Sequence, residues 1–194
     1  MGTFKVWGSS KLSENLFSSF ALCVGRRLST FIAYIVCCSE RLYNLDGINA
    51  VKEIVVKEAP IEEAVQINKC VTEFDPYPKE YFETRYKDKD TLIIAAYIDD
   101  KPAGYLVGYN VSNNEFYCWM VGVSPVFRRK GVLKALMDYQ EKWAKKREYK
   151  KITIKTRNNL REMLAYLVAY GFYFTEVIQR PAVEDNRILL EKKI

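Results

Sequence analysis

Between residues 51 and 194 the chain switches repeatedly between apolar runs of period two and stretches of helical period, and that order restricts the folds open to it. "VKEIVVKEA" reads as a strand, and "PIEEAVQINKCVTEF" as a helix with Pro60 at its first turn and Glu62 and Glu63 facing the dipole. The Pro-flanked turn Asp75-Pro76-Tyr77-Pro78 leads into a short helix, "PKEYFETRYKD". A hairpin follows in "TLIIAAYIDDKPAGYLVGYNV", then a third strand in "EFYCWMVGV". A helix from Gly131 to Arg147, the strand "KITIKT", a helix from Asn159 to Tyr170 and the strands "FYFTEVIQR" and "NRILLEK" complete the chain. The order βααβββαβαββ predicts an α/β fold: a mixed central sheet of about seven strands with helices on both faces.

Residues 1–50 read differently and are set apart as an N-terminal extension, with the main domain at 51–194. "LFSSFALCVGRRLSTFIAYIVCCS" holds two apolar stretches split by Arg26 and Arg27. Neither reaches the roughly 18 to 20 residues needed to span a bilayer. The second has the length of a signal-peptide core but lies far from the N-terminus, without a small-x-small cleavage site. Three readings stand for this segment: amphipathic helices packed on the body, a translated extension without function, or a membrane attachment. No chemistry is assigned to it.

Composition removes several functional classes. The chain has no histidine, which excludes Ser-His-Asp triads, His-assisted cysteine nucleophiles and imidazole zinc sites. Cys23, Cys37, Cys38, Cys70 and Cys118 form no CxxC pair, and their odd number fits neither a disulfide framework nor a metal knuckle. They read as small buried hydrophobes in a reducing cytoplasm, and no metal is expected. The net charge of +6 leans toward an anionic partner.

"VSPVFRRKGVLKAL", residues 123–136, offers a site for such a partner. A strand, a turn bearing one glycine and a helix together present unpartnered N–H groups and the positive end of a dipole. Gly131 removes a Cβ from the approach, while Arg128, Arg129 and Lys130 add charge and forked donors. These parts suit a pyrophosphate, though the stretch is neither a Walker loop nor a dinucleotide fingerprint. Read locally, a solvated basic turn is the equal alternative.

The same stretch resembles the R/Q-x-x-G-x-G/A loop of the GNAT superfamily, the acetyl-CoA-dependent N-acetyltransferases; Arg128 and Gly131 match, and Leu133 departs. Downstream, Asn159, Tyr166, Gly171 and Phe172 match a second spacing common in that family. The resemblance covers residues 52–194 and implies direct acetyl transfer from acetyl-CoA to a primary amine: a protein N-terminus, a lysine or a small cationic amine. It implies cofactor contacts from Arg128, Arg129, Lys130, Gly131, Val132, Leu133 and Lys134. It further implies that backbone groups at Val121 and Val123, with Asn159, hold the pantetheine arm where the fourth and fifth strands part. Tyr166 would protonate the leaving thiolate. Helical spacing agrees, placing Asn159, Glu162, Tyr166 and Tyr170 in one stripe beside an apolar face; a packing role stands as the alternative for both tyrosines.

Where many relatives carry a glutamate on the fourth strand, this chain has Tyr117. Glu115, two residues away, is the candidate base acting through water, or else an exposed strand-end charge. Cys118 points to the face opposite Tyr117 and is a poor acetyl carrier. The acceptor is expected over "TEFDPYPKEYFE", where Asp75, Tyr77, Glu80 and Tyr81, with Tyr117, would line a place for a cationic amine; the alternative is a rigid turn covering the core. The competing function is a non-catalytic acyl-CoA-binding module. "KWAKKREYKK" is read as a solvated helix end rather than a nucleic-acid contact. The expected protein is cytoplasmic, bound to neither membrane nor nucleic acid, and a monomer or homodimer.

Overall fold

The structure is a computed structural model that describes residues 53–194. The readings made for residues 1–50 lie outside the described residues. The strands are β1 (Ile54–Glu58), β2 (Thr91–Ile98), β3 (Lys101–Ser112), β4 (Glu115–Val123), β5 (Lys151–Arg157), β6 (Tyr173–Ile178) and β7 (Arg187–Lys193). The helices are α1 (Ile61–Asn68), α2 (Lys79–Tyr86), α3 (Val132–Lys146) and α4 (Arg161–Ala169). The strands form one seven-stranded sheet in the order β1-β2-β3-β4-β5-β7-β6. Only β4 and β5 pair in parallel, so the sheet is mixed, as its sequence order predicts. Among the described residues no helix is long and apolar enough to cross a membrane.

Both faces of the sheet are covered. On one, Val132, Leu136 and Met137 of α3 and Leu164 and Leu167 of α4 pack over Leu92, Leu106, Phe116 and Ile154. On the other, Ile61, Ala64 and Ile67 of α1 and Phe82 of α2 pack over Ala95, Tyr105, Val107 and Met120. Burial of these side chains, worth roughly 1.5–3 kcal/mol each, is what fixes the helices to the sheet. At Gly104 a Cβ would lie 2.9 Å from Val132 Cγ1, so the glycine lets the start of α3 sit against the sheet.

Two local departures from the expected elements matter. The first helix stops at Asn68 instead of running to Phe74. Its end is fixed by tertiary contacts that periodicity does not reveal: buried Asn68 donates from Nδ2 to Tyr105 Oη at 2.7 Å, and Val71 turns inward against Gly122. The second is a bulge in β4. Val107 pairs with Met120 and Gly108 with Cys118, leaving Trp119 as an extra residue. The bulge inverts the alternation. Phe116 and Cys118 pack on the α3 side, whereas beyond the bulge it is Val121 and Val123 that face that core.

Candidate active site

The parallel pairing of β4 with β5 runs only from Glu115–Lys151 to Cys118–Ile154. Past Cys118 the bulge turns β4 away, and the two strands part. A cavity of about 840 Å³ occupies the opening. Its wall carries Val121 to Val123 from β4, Ile154 to Arg157 from β5, the start of α3, and Asn159 to Met163 and Tyr166 around α4.

At one end lies the entrance to α3. Gly131 is its N-terminal cap residue, with φ +86°, and no side chain caps the helix. The left-handed conformation is the reason for glycine here: a Cβ would meet nothing nearer than Ile54 Cδ1 at 3.5 Å. The first turn therefore presents N–H groups without intrahelical partners toward the cavity. Arg128, Arg129, Gly131, Val132, Leu133 and Lys134 all line it. Arg128 is oriented from behind: Nε donates to the Val123 carbonyl at 3.2 Å and Nη2 to Glu73 at 2.7 Å. Lys130 does not reach the wall; its ammonium lies 5.3 Å over the Phe127 ring.

The β5–α4 turn is tied to the loop before β7. Asn159 N–H donates to the Glu184 carbonyl at 3.0 Å, and Asn158 Nδ2 to the Val183 carbonyl at 3.1 Å. This anchors Asn159 at the wall, where Tyr166 follows on α4. The Tyr166 hydroxyl is buried and has no hydrogen-bond partner among the described residues. Burial, and then the charge of Asp138, push its pKa well above the ordinary tyrosine range, so it stays protonated. Tyr170 differs: its hydroxyl donates to Asp138 at 2.8 Å, and Lys134 holds the same carboxylate at 2.6 Å.

At the far end the wall is aromatic. Tyr77 and Tyr81 stack at 4.2 Å, and Tyr81 lies 5.8 Å from Trp119. Tyr117 closes the wall, its pKa also driven well up, first by burial and then by Tyr109. The acidic residues expected here are elsewhere. Asp75 is exposed and accepts from Tyr77 Oη at 3.4 Å, Glu80 is exposed on α2, and neither lines the cavity. Glu115 is also off the wall, with Thr153 donating to its carboxylate at 2.9 Å and Lys151 at 3.3 Å. Cys118 is fully enclosed on the opposite face, its thiol pushed up to about 12 by burial.

Sequence reasoning missed several cations on this wall. Besides Arg128, Arg129 and Lys134, it carries Arg85, Lys155, Arg157, Arg161 and Arg187, against the carboxylates Glu73 and Glu162 alone. Lys155 lies just beyond the last β4–β5 pair, and it is the parting of β4 that makes its surroundings a cavity.

The chain matches the Acetyltransferase (GNAT) family over residues 57–172 and belongs to that family. Over 84 residues it is 30% identical to the streptothricin acetyltransferase of Escherichia coli, a match covering 43% of this chain and 48% of that protein. The chain thus spans about half the length of that curated relative. The ribosomal-protein-S18-alanine N-acetyltransferase of Escherichia coli shares the fold with a TM-score of 0.64 at 16% identity, over 73% of this chain and 94% of that one. A GNAT acetyltransferase from Elizabethkingia anophelis, solved with acetyl-CoA bound, does so with a TM-score of 0.58 at 20% identity, over 73% and 98%.

Proposed function

We propose that this protein is an acetyl-CoA-dependent N-acetyltransferase that acylates a primary amine by direct transfer. The observation that carries the reading is that Tyr166, whose buried hydroxyl has no partner among the described residues, lines a cavity that also reaches the uncapped start of α3. The residues fit acetyl-CoA at both ends. The N–H groups from Gly131 to Lys134, with Arg128 and Arg129, would hold the pyrophosphate. Backbone groups at Val121 and Val123, freed from strand pairing where β4 leaves β5, and Asn159 would hold the pantetheine arm. Bound acetyl-CoA supplies an activated acyl group: the amine nitrogen bonds to its carbonyl carbon as the C–S bond breaks. Tyr166 would donate a hydrogen bond and then its proton to the departing sulfur, an uphill step because the phenol is the weaker acid, completed when water returns a proton to the phenolate.

No side chain on the wall is a ready base. Glu73 and Glu162 are paired to Arg128 and Arg129, and Tyr117 holds its proton. The amine therefore loses its proton to water, directly or through a chain of waters reaching Glu115. Cys70 and Cys118 are free thiols, in keeping with a cytoplasmic setting.

Calorimetry with acetyl-CoA tests the reading. Wild type should bind, and Arg128→Ala with Arg129→Ala should weaken binding roughly 10-fold or more, as lost charge-assisted contacts do. Thiol release should then appear with some member of a primary-amine panel. Wild type without measurable affinity would end the proposal. Affinity without thiol release on any amine would leave acyl-CoA binding as the whole function.

A further inference from the structure

Arg157 ends β5 and Arg187 opens β7, and the antiparallel register sets them directly opposite each other. Their neighbours Thr156 and Ile188 are buried, with Ile154, Ile188 and Leu190 in the core under α3 and α4; the two arginines therefore project from the other face. Both are half-buried and line the cavity. Neither has a carboxylate partner among the described residues; Arg187 Nη1 donates only to the Asp185 carbonyl, at 3.2 Å. Like charges directly opposite across a ladder repel, and partial burial raises the cost. Packing alone gives no reason to keep them.

Their surroundings indicate what would offset that cost. Arg157 and Arg187 line the same cavity as the stacked Tyr77 and Tyr81, and the charge of Arg157 acts on the Tyr77 phenol. Arg85 approaches the same aromatic wall, with its guanidinium 5.7 Å over Trp119 and Nε donating to Tyr109 Oη at 3.0 Å. Of the wall's two carboxylates, Glu73 is held by Arg128 at 2.7 Å, and Glu162 lies 3.7 Å from Arg129 with both side chains exposed. This end of the cavity is cationic and aromatic, the reverse of a pocket for a cationic amine.

Building on the acetyltransferase reading, we infer that the acceptor is a small amine carrying its own oxyanion, a carboxylate or a phosphate, which Arg157 and Arg187 grip. Two guanidinium forks offer paired donors that a planar carboxylate or a phosphate satisfies, and the tyrosine stack offers a face for the acceptor's apolar part. The amine is left to point toward Tyr166 and the parted strands.

The test is calorimetry on the full chain saturated with CoA, titrated separately with phenylacetate, phenyl phosphate and phenylacetamide. One anion at least should bind saturably, and phenylacetamide roughly 10- to 100-fold more weakly, as expected for lost hydrogen bonds to charged groups. Which anion binds tighter separates carboxylate from phosphate. Arg157→Gln with Arg187→Gln should abolish the preference while CoA affinity stays within about twofold of wild type. If that double variant does not fold, the wild-type preference decides. Equal binding of phenylacetamide, no saturable binding of either anion, or a large loss of CoA affinity in the double variant would overturn the assignment. So would faster acetylation of L-phenylalaninamide than of L-phenylalanine. A wild type that binds no CoA would instead sink the acetyltransferase reading itself.

Discussion

Tyr166 and Tyr170 stack at 5.6 Å one turn apart on α4, yet their hydroxyls have opposite fates. That of Tyr170 is spoken for by Asp138, which ties α4 to α3, while that of Tyr166, a residue lining the cavity, is buried without a partner among the described residues. A buried hydroxyl without a partner costs about 1–3 kcal/mol, so a bound ligand that accepts its proton relieves that cost. Tyr166→Phe removes the donor and keeps the ring, and turnover should fall roughly 10²- to 10⁴-fold with acetyl-CoA affinity little changed. Tyr170→Phe should leave the chemical step nearly unaltered. Single-turnover kinetics on both variants checks this; full turnover in Tyr166→Phe would hand the proton transfer to water. The pH profile carries a second sign. A general acid is active while protonated and fails as pH rises through its pKa. Burial and Asp138 both raise that of Tyr166, so the alkaline loss of kcat should begin above about pH 10, the ordinary tyrosine value. A decline of kcat centred near pH 8 would contradict the assignment.

At the scale of elements, the entrance to α3 was legible because three local signals coincide in it: the end of a strand, a glycine and a run of cations. Gly131→Ala tests what the glycine does. Its φ of +86° is costly for any residue with a Cβ, by about 1–2 kcal/mol, although the added methyl would clash with nothing. The variant should melt several degrees lower and bind acetyl-CoA more weakly, because relaxing the backbone re-aims the first N–H groups of α3. Unchanged melting and affinity would show that the turn tolerates another conformation. The other end of α3 is held by Glu141, which accepts from Lys145 at 2.8 Å and from Lys192 of β7 at 2.6 Å. Burial would raise the Glu141 pKa, but these two ammonium groups outweigh it and the pKa is lowered. A lowered carboxylate pKa gives stability that is present above the unfolded value and is lost as pH falls through the folded one. Glu141→Gln should therefore cost about 1 kcal/mol at neutral pH and almost nothing near pH 3, as thermal melts at both pH values would show. Other features were hidden from the sequence because they depend on pairing. The β4 bulge preserves an apolar pattern that reads as plain alternation, so nothing local announces that Val121 and Tyr117 face opposite sides. The opposition of Arg157 and Arg187 follows from β7 inserting between β5 and β6, an order that no periodicity encodes. Asp75 and Glu80 of the same acidic loop are exposed and off the cavity wall, whereas Glu73, Tyr77 and Tyr81 of that loop line it.

For the whole molecule, the described residues that form the two cores and the cavity begin at Ile54, and the family match begins at residue 57. Among the described residues, the sheet's first strand, β1, is also one of its edges and pairs with β2 alone. Between them, α1 and α2 on one face and α3 and α4 on the other bury the large side chains of β2, β3 and β4. A domain of this size buries about two thirds of the surface its unfolded chain exposes, enough to be stable alone. A chain beginning at Val51 should therefore fold cooperatively and bind acetyl-CoA within about threefold of the full-length protein, a difference of under 1 kcal/mol. Circular dichroism melts and calorimetry on the two proteins make the comparison. An insoluble truncation, or one melting without a cooperative transition, would show that residues 1–50 supply part of the core. Retained folding with lost affinity would be more specific: it would mean that the first 50 residues reach the cofactor or the parted strands, and the site would have to be redrawn to include them.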